Sequence, residues 1–217
     1  MNSRESTSIV HLVDDDASIL VALSRMLTLS GYAVQTYASA TEFLDQQGLQ
    51  NRGCVVTDLR MPAMSGLELQ AALVRSGNPL PVIFLTGHGD IPTSVYAIKR
   101  GADDFLTKPV SKAALLPAVE RALAHDAAQY EQQGHRRDLE QQFETLTARE
   151  REVLTQVVAG KLNKEIAADL GAAEGTIKAH RASIMTKLRV QTPAELGRVS
   201  QELGSILLGR TPDEDSV

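Results

Sequence analysis

The sequence has one cysteine in 217 residues, and its apolar runs fall short of the about 18 residues that a membrane-spanning helix needs. It also lacks a leader that combines basic and apolar residues. A single cysteine excludes a disulfide framework. Cys54, inside the apolar run CVVTD, is therefore predicted to be a small buried core residue rather than a nucleophile. We expect a soluble, cytoplasmic protein that does not bind a membrane.

Net charge is also low, at −5, and it is unevenly distributed along the chain. Residues 1–124 hold 12 acids and 10 bases, and residues 125–145 hold five acids and two bases. Residues 146–210 hold seven acids and 10 bases, a net charge of +3, and residues 211–217 hold three acids. Only the segment 146–210 has the sign that a nucleic-acid partner requires.

The first 124 residues alternate between short apolar segments and helical patterns. Predicted strands at about 8–13, 33–36, 53–57, 81–86 and 103–107 alternate with predicted helices at 17–30, 40–47, 65–76, 91–100 and from 111 onward. Five such units predict an α/β doubly wound fold, with a five-stranded parallel sheet of flavodoxin-like order and helices on both faces. Functional groups should then gather at the carboxyl ends of the strands, where the strand order reverses.

Acidic residues follow two of these strands. Asp14 and Asp15 follow the first strand, and Asp58 ends the third. If those strands are neighbours, about 5 Å apart, the three carboxylates share one pocket, which is costly without a cation. Oxygen ligands at this density favour a hard ion such as Mg²⁺. The alternative is that each Asp only caps a helix or closes a turn, as we expect for Asp16.

Two further strand ends add a hydroxyl and an ammonium. The fourth strand ends at Thr86, and the fifth ends at Lys108, followed by Pro109. Beside a metal-bound carboxylate, these groups are suited to hold the oxygens of a phosphoryl group. The pocket is therefore suited to carry a phosphoryl group on one of its carboxylates. No separate base is needed, because a carboxylate is already ionised.

Together these residues resemble the receiver domain of two-component response regulators of the FixJ type, over about residues 7–124. The matching segments are the acidic pair, DLRMPAMSG, TGHGD and DDFLTKP. The resemblance implies that Asp58 accepts a phosphoryl group from a sensor histidine kinase, and that Thr86 and Lys108 contact that group. It also implies that Mg²⁺ is bound by Asp14, Asp15, Asp58 and the backbone carbonyl of Arg60.

The same resemblance implies two conformational features. A cis peptide bond is expected before Pro109. Phe105 occupies the position of the switch aromatic and has no hydroxyl, so any rotation of its ring has to be driven by packing. With Thr86, it would relay phosphorylation to the face formed by the predicted helix 91–100 and the fifth strand.

Residues 125–145 contain no proline and are rich in Gln, Glu, Ala and Arg. They predict a solvated linker helix that extends the last receiver helix, with sparse apolar contacts and with Gly134 able to bend or break it. The alternative is a short coiled coil between two copies, although the repeated heptads are missing.

Residues 146–210 predict an all-α domain of four helices. A capping box of Thr147 and Glu150 opens the first helix, which ends at Gly160. The second helix covers about 164–170 and the third about 174–188, and the fourth follows Thr192-Pro193. The second and third helices, with the turn at Gly171, predict a helix-turn-helix. The acidic tail 211–217 is expected to be disordered.

The third helix has two distinct faces. Ile177, Ile184 and Leu188 are predicted to pack inside the domain, and the opposite face, with Lys178, Ala179, Ala182 and Thr186, is available to a major groove. A generic helical bundle would show the same apolar stripe.

The segments LTAREREVL, NKEIAADL and TIKAHRASIMTKL resemble the LuxR/NarL-type output domain. The resemblance implies that Lys178, Ala179 and Ala182 face bases and that Lys164 and Thr176 lie near phosphates. It places a dimer contact at Leu196 and Val199 of the fourth helix.

The chain is therefore predicted to be a phosphorylation-controlled transcriptional regulator. It would dimerise on phosphorylation, bind promoter half-sites in double-stranded DNA and contact RNA polymerase. It is not predicted to be an enzyme beyond the reactions of its own aspartyl phosphate. One alternative is a receiver whose helical end binds protein. A second is a haloacid-dehalogenase-type phosphatase, but that class needs an Asp two residues after the nucleophile, where this chain has Arg60.

Overall fold

A computed structural model describes residues 8–46, 52–77, 80–87 and 102–208, with side chains as far as Gly204. The strands are β1 Ile9–Val13, β2 Ala33–Tyr37, β3 Gly53–Asp58, β4 Val82–Thr86 and β5 Asp104–Thr107. The first helices are α1 Ala17–Leu29, α2 Ala40–Gln46, α3 Gly66–Arg75 and α4 Lys112–Glu144. Four more follow: α5 Ala148–Val158, α6 Asn163–Asp169, α7 Glu174–Lys187 and α8 Pro193–Leu208. Within these described ranges, no helix is both long and apolar enough to cross a membrane.

All five strands pair in parallel in the order β2-β1-β3-β4-β5. This confirms the predicted doubly wound sheet and its flavodoxin-like order, with β1 directly beside β3. The strand order reverses at β1, so the edge above β1 and β3 is where a ligand site is expected. The helix predicted at 91–100 lies outside the described residues.

The sheet has a separate hydrophobic core on each face. Phe43 from α2 and Leu69 from α3 pack with Phe84 on one face. Leu27 from α1 and Leu115 from α4 pack with Leu12 on the other. Cys54 lies in this second core with no exposed surface, and burial raises the pKa of its thiol to about 12. The prediction that Cys54 is a small buried core residue is therefore confirmed.

A buried histidine in β1 is expected to make the stability of the unit formed by the sheet and its helices depend on pH. His11 of β1 has no exposed surface, and its Nδ1 lies 3.3 Å from the hydroxyl oxygen of Tyr37. Its Nε2 has no hydrogen-bond partner among the described residues. Burial lowers the pKa of His11 to about 4, because the charged ring would lose its hydration. The unfolded chain thus binds this proton more readily than the folded chain.

We expect the free energy of unfolding of this unit to decline as pH falls from about 6.5 to about 4. A pKa difference of this size corresponds to roughly 3 kcal/mol. His11→Leu should remove this part of the slope. The slope of the free energy of unfolding against pH is measured by urea unfolding at several pH values. Tyrosine fluorescence is the signal, because Tyr37 lies beside His11. Equal slopes for the two proteins would contradict the assignment.

Helix α4 is 33 residues long, and Gly134 does not interrupt it. Its residue Asp126 is only 6% exposed and accepts a hydrogen bond of 2.8 Å from Nε of Arg52. The Arg52 guanidinium also lies 3.9 Å from the centre of the Tyr130 ring. These contacts belong to a compact unit that ends at Tyr130, whereas the sequence placed the end of the receiver at residue 124.

The second compact unit begins at Glu131 and contains α5 to α8. The Thr147 capping box is present, with both reciprocal hydrogen bonds to Glu150. Gly160 and Gly171 follow α5 and α6 with φ of 77° and 60°, a conformation that glycine adopts without a Cβ clash. The four helices pack around a core that includes Ile166, Ile177 and Ile184. The predicted helical domain and its helix starts and ends are therefore confirmed to within about two residues.

Candidate functional site

Three carboxylates meet at the carboxyl edge of β1 and β3, as the sequence predicted. Asp14 and Asp15 follow β1, Asp58 ends β3, and one oxygen from each lies within 4.8 Å of the others. Asp14 is buried, Asp58 is partly buried and Asp15 is exposed. The cluster can therefore face solvent through Asp15 while Asp14 is held by the protein.

Lys108 supplies the positive charge inside this cluster. Its Nζ lies 2.6 Å from Oδ2 of Asp14 and 3.3 Å from Oδ2 of Asp58. Burial alone lowers the pKa of Lys108, but its hydrogen bonds and charge interactions with Asp14 and Asp58 outweigh burial and raise the pKa above its usual value. Lys108 is therefore protonated at neutral pH.

Backbone contacts fix the Asp14 carboxylate and the main chain at Lys108. The Asp16 backbone N–H donates to Oδ1 of Asp14 at 2.9 Å, and the Asp16 carboxylate accepts from the Ser18 N–H. Asp16 is thus the N-cap of α1, as predicted. On the other side, the Lys108 N–H donates to the Thr86 carbonyl at 2.7 Å. The Lys108-Pro109 peptide bond is cis, as the resemblance implied.

A small pocket opens at this point, lined by Asp58, Arg60, Thr86, Gly87 and Lys108, with a volume of about 190 Å³. Thr86 is buried at its edge. The predicted phosphoacceptor, hydroxyl and ammonium therefore lie together. Phe105 of β5 is half-buried, and its ring centre lies 6.3 Å from that of Phe84.

The pocket also depends on Gly66, to which the sequence reasoning gave no role. A Cβ at this position would lie 2.5 Å from the Asp58 carbonyl oxygen and 3.0 Å from the Phe84 ring. The first turn of α3 can therefore approach the end of β3 only with glycine at residue 66. The glycine that ends the motif DLRMPAMSG was the available signal.

The charges of the pocket fit a divalent cation. Three carboxylates and one ammonium leave a net charge of −2, and the carboxylate oxygens are the hard ligands that Mg²⁺ prefers. The residues that would hold such an ion are Asp14, Asp15 and Asp58, with the exposed Arg60 at the rim of the same pocket.

The exposed face of α7 has the composition that the sequence predicted. Ile177, Ile184 and Leu188 are buried in the core of the second unit. The exposed residues include Thr176, Lys178, Ala179, Ala182 and Thr186, and Lys164 on α6 is also exposed. This face is polar, carries small side chains and is open to a macromolecular ligand.

Glu150 holds α7 in place through its buried carboxylate. From the sequence, this residue was predicted only to cap a helix. Glu150 of α5 is 4% exposed, accepts 2.6 Å hydrogen bonds from Ser183 Oγ and Lys187 Nζ, and accepts from the Thr147 N–H at 2.8 Å. Burial by itself raises the pKa of Glu150, but these hydrogen bonds outweigh it and lower the pKa to about 2. Glu150 is thus an anion that joins two helices.

The dimer contact assigned to Leu196 is wrong for this structure. Leu196 has no exposed surface and lies in the core of the second unit, and Val199 is half-buried against the same core. A second copy could reach Leu196 only if the domain opened. The exposed residues of this part of α8 include Ala194, Gly197, Arg198 and Gln201.

Two family models match the chain in separate segments. The model described as "Response regulator receiver domain" matches residues 10–120. The model described as "Bacterial regulatory proteins, luxR family" matches residues 144–200. The first match contains the acidic pocket, and the second contains α5 to α7 and the start of α8.

Named relatives match nearly the whole length of this chain. The response regulator protein TmoT of Ectopseudomonas mendocina is 43% identical and covers 94% of this chain and 91% of its own. The transcriptional regulatory protein FixJ of Azorhizobium caulinodans is 42% identical and covers 95% and 96%.

Among solved structures, the response regulator StyR is 42% identical, covers 90% of this chain and 99% of its own, and has a TM-score of 0.81. Matches of this extent cover the receiver and the helical domain together. The chain therefore belongs to the two-component response regulators that join a receiver domain to a LuxR-type DNA-binding domain.

Proposed function

We propose that Asp58 is the phosphoacceptor and that its phosphorylation by a sensor histidine kinase controls binding of this protein to promoter DNA. The observation that carries the proposal is the meeting of Asp58 with Lys108, Thr86 and two further carboxylates in one pocket. A cap or turn role explains Asp16, but it does not explain an ammonium held between Asp14 and Asp58.

Each pocket residue has a distinct role in the transfer. An Asp58 carboxylate oxygen attacks the phosphorus in line, and the bond from phosphorus to the histidine nitrogen breaks as the new P–O bond forms. Lys108 donates hydrogen bonds to the phosphoryl oxygens, and the Thr86 hydroxyl donates to another of them. Mg²⁺ held by Asp14, Asp15, Asp58 and the Arg60 carbonyl would neutralise charge on the phosphoryl group.

The DNA-binding surface is the exposed face of α7 with the start of α6. Lys178, Ala179 and Ala182 face bases, and Lys164 and Thr176 approach phosphates. A net charge of +3 over residues 146–210 offers few phosphate contacts. Two linked copies on paired half-sites would gain affinity from their effective concentration.

Phosphorylation acts by shifting an existing equilibrium towards a dimer. Thr86 and Phe105 are the relays from the acceptor, and the receiver face that they alter includes residues 91–100, which the structure does not describe. A shift from 1:99 to 99:1 needs about 5.5 kcal/mol, so a partial shift is expected. On α8, the contact between copies uses the exposed face, to which Val199 contributes its accessible part.

The remaining parts of the proposal concern organisation. Residues 1–124 form the receiver, 125–145 the helical linker and 146–210 the DNA-binding domain, with an acidic tail at 211–217. The protein works in the cytoplasm, where it meets DNA and RNA polymerase. Its chemistry is limited to the formation and loss of its own aspartyl phosphate.

We expect the full-length chain to bind DNA more tightly after treatment with acetyl phosphate and Mg²⁺, roughly 10-fold or more, with a larger sedimenting mass. Affinity should fall steeply with salt. The matched control is Asp58→Asn, which keeps the shape of the side chain and cannot be phosphorylated. Equal mass distributions and equal DNA affinities for treated, untreated and Asp58→Asn protein would show that Asp58 does not control assembly.

A further inference from the structure

The exposed face of the recognition helix α7 carries a single acid–base pair. Glu174 is the first residue of the helix, and Lys178 follows one turn later. Nζ of Lys178 lies 3.1 Å from Oε1 of Glu174, with side chains 64% and 50% exposed. The two charged groups therefore form one donor and acceptor unit that is open to solvent.

The other Lys and Arg side chains of α7, all of whose residues are described, are held by the rest of the domain. Arg181 donates to Oδ1 of Asn163 at 3.0 Å, and Lys187 is bound to the buried Glu150. Past Lys178, the exposed stripe continues through Ala182 and Thr186, which carry no charge. The Glu174–Lys178 pair is thus the charged feature that α7 presents on its exposed face.

The chemistry of this pair matches the major-groove edge of one base pair. N-terminal residues of a recognition helix contact base edges in helix-turn-helix complexes. A G·C pair presents the N4 amino donor of cytosine directly beside the O6 and N7 acceptors of guanine. A carboxylate accepts from the first group and an ammonium donates to the second. Two side-chain groups about 3 Å apart can therefore contact both bases at once.

We propose that Glu174 and Lys178 together read one G·C base pair in each half-site, with Glu174 selecting cytosine and Lys178 selecting guanine. The inference rests on the proposed function, because it assumes that α7 enters the major groove. This role accounts for an acidic residue, Glu174, at the N-terminal end of α7, which has to approach the negatively charged DNA. As an isolated surface pair, the two side chains contribute little to stability.

The test is selection from a random DNA library by the full-length chain with acetyl phosphate and Mg²⁺. The variants are Glu174→Gln and Lys178→Ala, and the matched control is Glu152→Gln, an exposed glutamate of α5 that pairs with Arg149 at 2.8 Å. Wild type should select G·C at one position of each half-site. Both variants should relax that preference by roughly 10-fold at the same position. In Glu174→Gln, the preference for adenine at this position should increase, because glutamine pairs with the N6 and N7 of adenine.

Preferences at the other positions, thermal unfolding and the Glu152→Gln profile should stay unchanged. The inference is overturned if Glu174→Gln binds every sequence more tightly with the same preferences, since Glu174 then only repels phosphates. It is also overturned if the two variants relax different positions. Failure of the proposed function looks different, because wild type itself would then select no sequence.

Discussion

Asp15→Ala is expected to reduce Mg²⁺-dependent phosphorylation of Asp58 by acetyl phosphate roughly 100-fold or more, with little change in stability. Asp15 is exposed, so its loss leaves no cavity and no unpaired buried group. The loss removes one of three carboxylates around the cation site. The remaining −2 charge from Asp14 and Asp58 is already partly neutralised by Lys108. Weaker retention of a divalent ion follows.

The adjacent acid provides the matched control for this experiment. Asp16→Asn removes an exposed carboxylate one residue further along, and asparagine is an equally good N-cap for α1. We expect labelling close to that of wild type. The phosphorylated fraction is measured by intact mass over a Mg²⁺ titration, with a chelator as the zero point. Wild-type labelling of Asp15→Ala, or equal losses in the two variants, would contradict a role of Asp15 in metal binding.

The acceptor pocket could be predicted because its residues lie at the ends of neighbouring parallel strands. Asp14, Asp58, Thr86 and Lys108 each follow an apolar segment, and β1 pairs with β3 while β4 pairs with β3 and β5. Residues at the ends of adjacent strands lie close together whatever conformation the connecting loops adopt. The predicted strands and helices within the described ranges therefore sufficed to place the site.

Contacts between distant segments were not predictable in the same way. Arg52 and Asp126 are 74 residues apart, and their pairing depends on where α4 crosses the start of β3. Nothing in the local pattern of residues 125–145 distinguishes Asp126 from a solvated acid. The end of the receiver at 124 was predicted from the alternation of strands and helices and from the resemblance, neither of which reports this ion pair.

The error at Leu196 had a signal in the sequence. Leu196, Val199 and Leu203 are spaced by three and four residues, which is the spacing of a core-facing stripe. The structure places Leu196 and Leu203 in the core. The dimer contact was implied by resemblance alone, and the helical periodicity of α8 would have argued against it.

Glu150→Ala is expected to destabilise the DNA-binding unit by about 3 kcal/mol. The substitution removes the acceptor of Ser183, Lys187 and the Thr147 N–H. Loss of one partner from a buried ion pair costs about 3 to 5 kcal/mol. We take the lower end because Lys187 is 31% exposed and can reach water. Sequence-specific DNA binding should weaken as well, since Ser183 and Lys187 fix α7 to α5.

Because of the Glu150 carboxylate, we also expect the stability of this unit to fall at acidic pH. The pKa of Glu150 is lowered to about 2 from an ordinary value of 4.5. The unfolded chain therefore takes up this proton at a higher pH than the folded chain. The stabilisation is complete above about pH 4.5 and is lost as pH falls towards 2. The pKa difference corresponds to roughly 3 kcal/mol, in agreement with the cost expected for Glu150→Ala.

The positions of the tyrosines let one experiment separate the two units. The four tyrosines of the chain are Tyr32, Tyr37, Tyr96 and Tyr130, and none lies after Tyr130, the residue at which the first compact unit ends. Tyrosine fluorescence therefore follows unfolding of the receiver, and circular dichroism follows both units.

In urea, Glu150→Ala should show an early transition by circular dichroism and an unchanged fluorescence midpoint. Glu152→Ala, which removes an exposed partner of Arg149, should match wild type by both signals within about 0.5 kcal/mol. Coincident transitions for Glu150→Ala and wild type would mean that Glu150 does not hold α7 in place.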